Sequence, residues 1–117
     1  MEELQDMYIA LREVAYRFGL NYEVYYTFGH YLKIPEHVVE CNRCNYQNDG
    51  IAVCTYQLLK IGAHRSDEEE LKERLLKCMQ SLNWEEQYLK FIQRENCAFL
   101  SPAAEGIGAS GPFFYSE

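Results

Sequence analysis

Five cysteines, three histidines and an uninterrupted acidic run, Asp67-Glu-Glu-Glu70, are the residues of this 117-residue chain whose types could do chemistry. Cys41-Asn-Arg-Cys44 has the spacing of half a structural zinc site, with His37 four residues before it and His30 further back. A closed site needs a second well-spaced pair, and Cys54, Cys78 and Cys97 do not supply one. The pair therefore reads as a small-residue corner between helices, and no metal and no cofactor is expected. Cys54 and Cys78 fall on apolar helical faces, where a thiol behaves as a small hydrophobe. The odd total favours reduced thiols in an intracellular chain. A cysteine nucleophile activated by His30, His37 or His64 is the enzymatic alternative. A lone Cys and a lone His in so small a helical chain are more often packing and surface, so no catalytic residue is assigned.

The acidic run has a local explanation. Ser66-Asp-Glu-Glu69 has the form of a capping box, and carboxylates in a first helical turn meet the positive end of the helix dipole. Capping and solvation account for the run before a dedicated binding site does.

The elements that must position these residues follow from apolar spacing. With 48% hydrophobic residues the chain can build one core, and no run is apolar enough to cross a bilayer. A net charge of -7 argues against wrapping nucleic acid or an anionic membrane. The opening Met1-Glu-Glu-Leu-Gln-Asp6 is acidic where a secretory signal would be basic and then apolar, so a soluble, cytoplasmic protein is expected. Leu4, Met7, Tyr8, Leu11, Val14, Ala15 and Phe18 recur as one face of a first helix that Gly19 ends. Asn21 is placed to cap a second helix bearing Tyr22, Tyr25, Phe28 and Leu32, with Gly29 marking close packing. Pro35 suits the first position of a brief third helix with Val38 and Val39 inward. The polar stretch Cys44 to Gly50 reads as a turn, with Asn48 or Asp49 capping a fourth helix that carries Ile51, Ala52, Leu58 and Leu59 and stops at Gly62. Leu71, Leu75, Leu76, Cys78 and Met79 define a fifth helix behind the Ser66 box. Asn83 and Glu86 suggest a second box before a sixth, with Trp84, Tyr88, Phe91 and Ile92 as its stripe. Residues 1–96 are thus expected to form one all-α, six-helix antiparallel bundle. Residues 97–117, rich in Gly and ending Pro112-Phe-Phe-Tyr115, read as a flexible tail whose aromatics either serve as a recognition peptide or fold back.

Over residues 8 to 94 the order and spacing resemble a death domain of the death-fold superfamily. Leu11-Arg-Glu-Val-Ala15 with Phe18-Gly19 resembles its opening helix. Tyr25, Phe28, Gly29, Leu32 and Ile34 resemble the family's W-x2-L-A-x2-L-G-h pattern, with Tyr25 where Trp is frequent. The likeness continues through Pro35-Glu-His-Val38, the polar turn to Asp49, Tyr56-Gln-Leu-Leu-Lys60, Leu71 and Leu75, and Leu82 leading into the last helix. Lys33 stands where the family carries a small residue, and Ile61 where Trp commonly follows the Leu-Leu pair.

This resemblance implies a Greek-key bundle of death-fold type and a non-catalytic adaptor in apoptotic, innate immune or NF-kB type signalling. Its partners would be other death-fold domains, a second copy of itself included, joined into oligomers by opposed charged patches. By position in such a fold the partner-facing candidates are Arg43, Asn45 and Asp49 on the third helix and following turn, and His64 and Arg65 between the fourth and fifth. On the fifth helix they are Asp67, Glu68, Glu70, Lys72 and Glu73. A small helix-turn-helix nucleic-acid binder is the alternative, and it requires a basic helix face where the third and fourth helices offer only Arg43 and Lys60.

Overall fold

The computed structural model describes residues 2–94 and Leu100, with side chains from Asp6 onward. Among the described residues there are six α-helices, no strand and one short 3-10 turn: α1 (Glu2–Phe18), α2 (Tyr22–Tyr31), α3 (Glu36–Tyr46), the turn Gln47–Asp49, α4 (Ile51–His64), α5 (Glu68–Ser81) and α6 (Glu85–Arg94). The all-α expectation is met.

Helix α4 is the central element. It lies against α1, α2 and α3, while α5 packs on α2 and α6. The reason is composition: α4 buries Cys54, Thr55, Leu58, Leu59 and Gly62, so its apolar surface wraps further round the helix than a single stripe. Leu11, Val14, Ala15 and Phe18 from α1, Tyr25 and Phe28 from α2, Leu71, Leu75, Cys78 and Met79 from α5 and Tyr88, Phe91 and Ile92 from α6 complete one core. Phe18 sits 5.6 Å from the Trp84 ring and edge-on to Phe91 at 5.7 Å, which fastens the end of α1 to α6.

Two glycines set how closely α2 is held. A Cβ on Gly29 would meet Val39 at 2.9 Å, and one on Gly62 would meet Leu32 at 2.8 Å. Gly29 thus marks the close packing expected of it. Gly62 does not stop its helix: α4 continues to His64, and the glycine is there because Leu32 leaves no space for a side chain.

Several expected boundaries move. The third helix is not brief but runs eleven residues to Tyr46, taking in the first three residues of the stretch read as a turn. Pro35 occupies its N-cap rather than its first position, its carbonyl accepting from Val38 and Val39. Neither Asn48 nor Asp49 caps α4; Gly50 does, at φ 104, a conformation that only glycine adopts freely. The α5 cap is Asp67, one residue later than expected. Its carboxylate accepts from the Glu70 amide at 2.8 Å, and Glu70 accepts from the Asp67 amide at 3.0 Å. Ser66 instead donates to the Gly62 carbonyl at 2.7 Å. Asn83 forms no second box: at φ 61 it closes the end of α5, and α6 begins at Glu85. The tail assigned to residues 97–117 lies outside the described residues except for Leu100, which is buried in the core.

A polar network is sealed beneath α3. Tyr25 donates to the Val39 carbonyl at 2.7 Å, and Asn42 donates to the Tyr25 hydroxyl at 3.0 Å and the Cys54 carbonyl at 3.1 Å. Burial pushes the Tyr25 hydroxyl and the Cys54 thiol above their ordinary ionisation ranges. Buried polar groups that are satisfied in this way fix one register between helices, here α2, α3 and α4.

Candidate functional site

Each α-helix repeats its faces every three to four residues, so two packed helices line any groove between them with two such rows. From α3 come His37, Cys41 and Asn45, four residues apart, with Val38, Asn42 and Tyr46 beside them. Helix α4 contributes Gln57, Lys60, Ile61 and His64. Together they line a groove of about 460 Å³. Asn42 at its floor belongs to the buried network, so the groove is built directly on the packing of α3 against α4.

The groove is bordered by a fixed cation. The Lys60 ammonium lies 5.2 Å from the centres of both the Tyr8 and Tyr56 rings, where the aromatic faces attract it. Tyr8 also hydrogen-bonds His64 Nε2 at 2.6 Å, tying α1 to the end of α4. Among the described residues no carboxylate lines this groove, and neither Lys60 nor Arg65 has an ion-pair partner.

Helix α5 presents the opposite sign. Five carboxylates stand against three cations between Asp67 and Lys77. Lys72 is shared between Glu68 at 3.5 Å and Glu69 at 3.6 Å, Arg74 pairs with Glu70 at 3.8 Å, and Lys77 pairs with Glu73 at 3.2 Å. The side chains of Glu68 and Glu69 remain 52% and 70% exposed, so the pairing leaves an acidic ridge open to solvent. A second depression, about 480 Å³, brings Glu70, Glu73, Arg74 and Lys77 beside His30, Tyr31 and Lys33 at the end of α2.

The expected partner-facing residues therefore separate. Asn45 and His64 enter the α3–α4 groove, and Arg65 caps α4 beside it. Asp67, Glu68, Glu70, Lys72 and Glu73 form the ridge, with Asp67 and Glu70 also closing the capping box. Asp49 ends the 3-10 turn, exposed. Arg43 is drawn inward: its guanidinium lies 4.5 Å from the Tyr22 ring centre and donates to the Tyr26 hydroxyl at 2.7 Å. His37, Cys41, Gln57 and Lys60 were not among the candidates. Their signal was present as polar rows on α3 and α4, and what concealed it was that two rows become one groove only when the helices cross.

The thiols divide by burial. Cys54 and Cys78 are enclosed, and desolvation alone pushes Cys78 up to about 12, which makes it a poor nucleophile. Cys41 and Cys44 are exposed and form no disulfide among the described residues, and Cys97 lies outside those residues. Among the described residues no group of three or more Cys, His, Asp or Glu is placed to hold a metal ion, and no helix is long and apolar enough to cross a membrane. No family model, curated protein or solved structure matches the chain.

Proposed function

We propose that this chain is a non-catalytic protein-association module of the death-domain kind, a cytoplasmic adaptor in intracellular signalling that binds other death-fold domains and copies of itself. The observation that carries this reading is the acidic ridge of α5: an excess of exposed carboxylates held in fixed positions on a well-capped helix. Single surface charges contribute little, but several on a rigid element steer encounter and exclude like-charged partners. The helix order and the residues quoted for the resemblance support the same reading, with an antiparallel Greek-key arrangement as its expected topology. The helix-turn-helix alternative is disfavoured by the net charge of -7 and by Arg43, whose guanidinium is held over Tyr22 instead of standing clear of α3.

The reading is tested by titrating fluorescently labelled wild-type chain with unlabelled wild type, and labelled Glu68→Lys/Glu69→Lys variant with its own unlabelled form, both at low salt. Saturable binding by the wild type, weakened roughly tenfold in the variant, is expected if the ridge contributes about 1.4 kcal/mol. Equal binding by the two would refute the role of the ridge.

A further inference from the structure

The α3–α4 groove and the α5 ridge are complementary. The groove's lining holds Lys60, His37 and His64 and, among the described residues, no carboxylate, and Arg65 follows His64 as the C-cap of α4. The ridge holds Asp67 to Glu70 with a single ammonium, Lys72, serving both Glu68 and Glu69. The depression between α2 and α5 differs in having carboxylates, Glu70 and Glu73, in its own lining beside Lys33, Arg74 and Lys77. A chain of net charge -7 that leaves Lys60 and Arg65 without carboxylate partners among the described residues has a cationic surface still open to an acidic one.

We infer that the groove between α3 and α4 receives the acidic first turn of α5 from a second copy of the chain, so that copies join head to tail. This rests on the association reading above and names the surface that the ridge meets. Three features suit the groove to carboxylates. The Lys60 ammonium is held between two tyrosine rings, so little side-chain freedom remains to be lost on pairing. Asn45 Nδ2 has only a long contact to Cys41 Sγ at 3.9 Å, and the Gln57 amide has no hydrogen bond among the described residues, so both can donate to an incoming oxygen. Finally, α3 supplies Asn45 and α4 supplies Gln57 and Lys60, so both helix walls of the groove offer donors. Because groove and ridge are different surfaces of one molecule, each addition leaves one of each exposed, and the contact is heterologous.

Charge reversal separates this inference from the reading beneath it. Lys60→Glu, Arg65→Glu and Glu68→Lys are compared with wild type by sedimentation equilibrium at low salt, each with a thermal melt to confirm folding. Arg65→Glu guards against Lys60→Glu acting through Tyr8 and Tyr56. Each single reversal is expected to weaken self-association roughly tenfold. Equimolar Lys60→Glu and Glu68→Lys should recover association as a 1:1 complex, since the intact ridge of the first meets the intact groove of the second. If Glu68→Lys weakens association while Lys60→Glu and Arg65→Glu leave it unchanged, the groove assignment is wrong and the ridge stands. A wild type that stays monomeric overturns both the inference and the self-association on which it rests.

Discussion

On α5 every lysine and arginine lies within 4 Å of a carboxylate about one turn away, whereas beside the α3–α4 groove Lys60 rests over two tyrosine rings and Arg65 has no ion pair among the described residues. The two regions handle charge by different physics. Pairs at i,i+4 on an exposed helix support the helix locally, by about 0.3–0.5 kcal/mol each, and cancel part of the field that a partner would feel. A cation held by aromatic faces keeps its full charge, because ring quadrupoles attract it without neutralising it. Negative charge is therefore offered by α5 as a surplus over its own pairs, and positive charge by the groove as a cation with no ion pair among the described residues. The comparison explains how a strongly acidic chain can still present a cationic surface.

The comparison can be broken most forcefully at Gly62, which seats α4 on α2 without touching any α5 charge. Gly62→Val would drive a side chain into Leu32, already 2.8 Å from where the added Cβ would lie. We expect a loss of about 3 kcal/mol by chemical denaturation, with the groove opened and the α5 pairs intact. A variant as stable as wild type would mean that the helices can separate there at no cost.

A smaller effect per pH unit is expected on the buried side of α5. Desolvation raises the folded-state value of Cys78 from 9.0 to about 12. Between those values the unfolded chain releases a proton that the folded chain keeps, so stability is complete below pH 9 and falls as pH rises. The slope approaches about 1.4 kcal/mol per pH unit. Comparing wild type with Cys78→Ala across alkaline pH isolates this contribution, and the variant should show the shallower decline. Parallel declines would show that the thiol is not protected.

The smallest effect belongs to the exposed pairs. Lys77 and Glu73 have side chains 61% and 65% exposed, and Lys77→Ala should change stability by less than about 0.5 kcal/mol in thermal melts. A larger change would indicate that α5 depends on its ion pairs and that its charges serve the fold first.

The fold was legible where burial is periodic. Leu11, Val14, Ala15 and Phe18, then Leu71, Leu75, Cys78 and Met79, then Tyr88, Phe91 and Ile92, were read as inward faces, and all are buried. Helix ends were less legible because neighbouring residues offer equivalent caps. Ser66 with Glu69 and Asp67 with Glu70 fit the same box spacing. The cap is Asp67, while the Ser66 hydroxyl is turned back toward α4 to donate to the Gly62 carbonyl. Gly62 was misread for a related reason: local sequence shows a glycine near a helix end, and only the approach of Leu32 reveals a glycine needed inside the helix. Of the candidate site, the acidic ridge was readable as a run along one helix. The groove was not, because its two polar rows lie some twenty residues apart on α3 and α4 and only their packing brings them together.

The most direct test of the central claim is the molar mass of the wild-type chain by light scattering, across a range of concentrations and at low and high salt. Association by opposed charges requires a mass that grows with concentration at low salt and returns to that of a single chain, 13.8 kDa, at high salt. A mass that stays at one chain at every concentration and salt would contradict self-association through ridge and groove, and growth indifferent to salt would contradict its electrostatic origin.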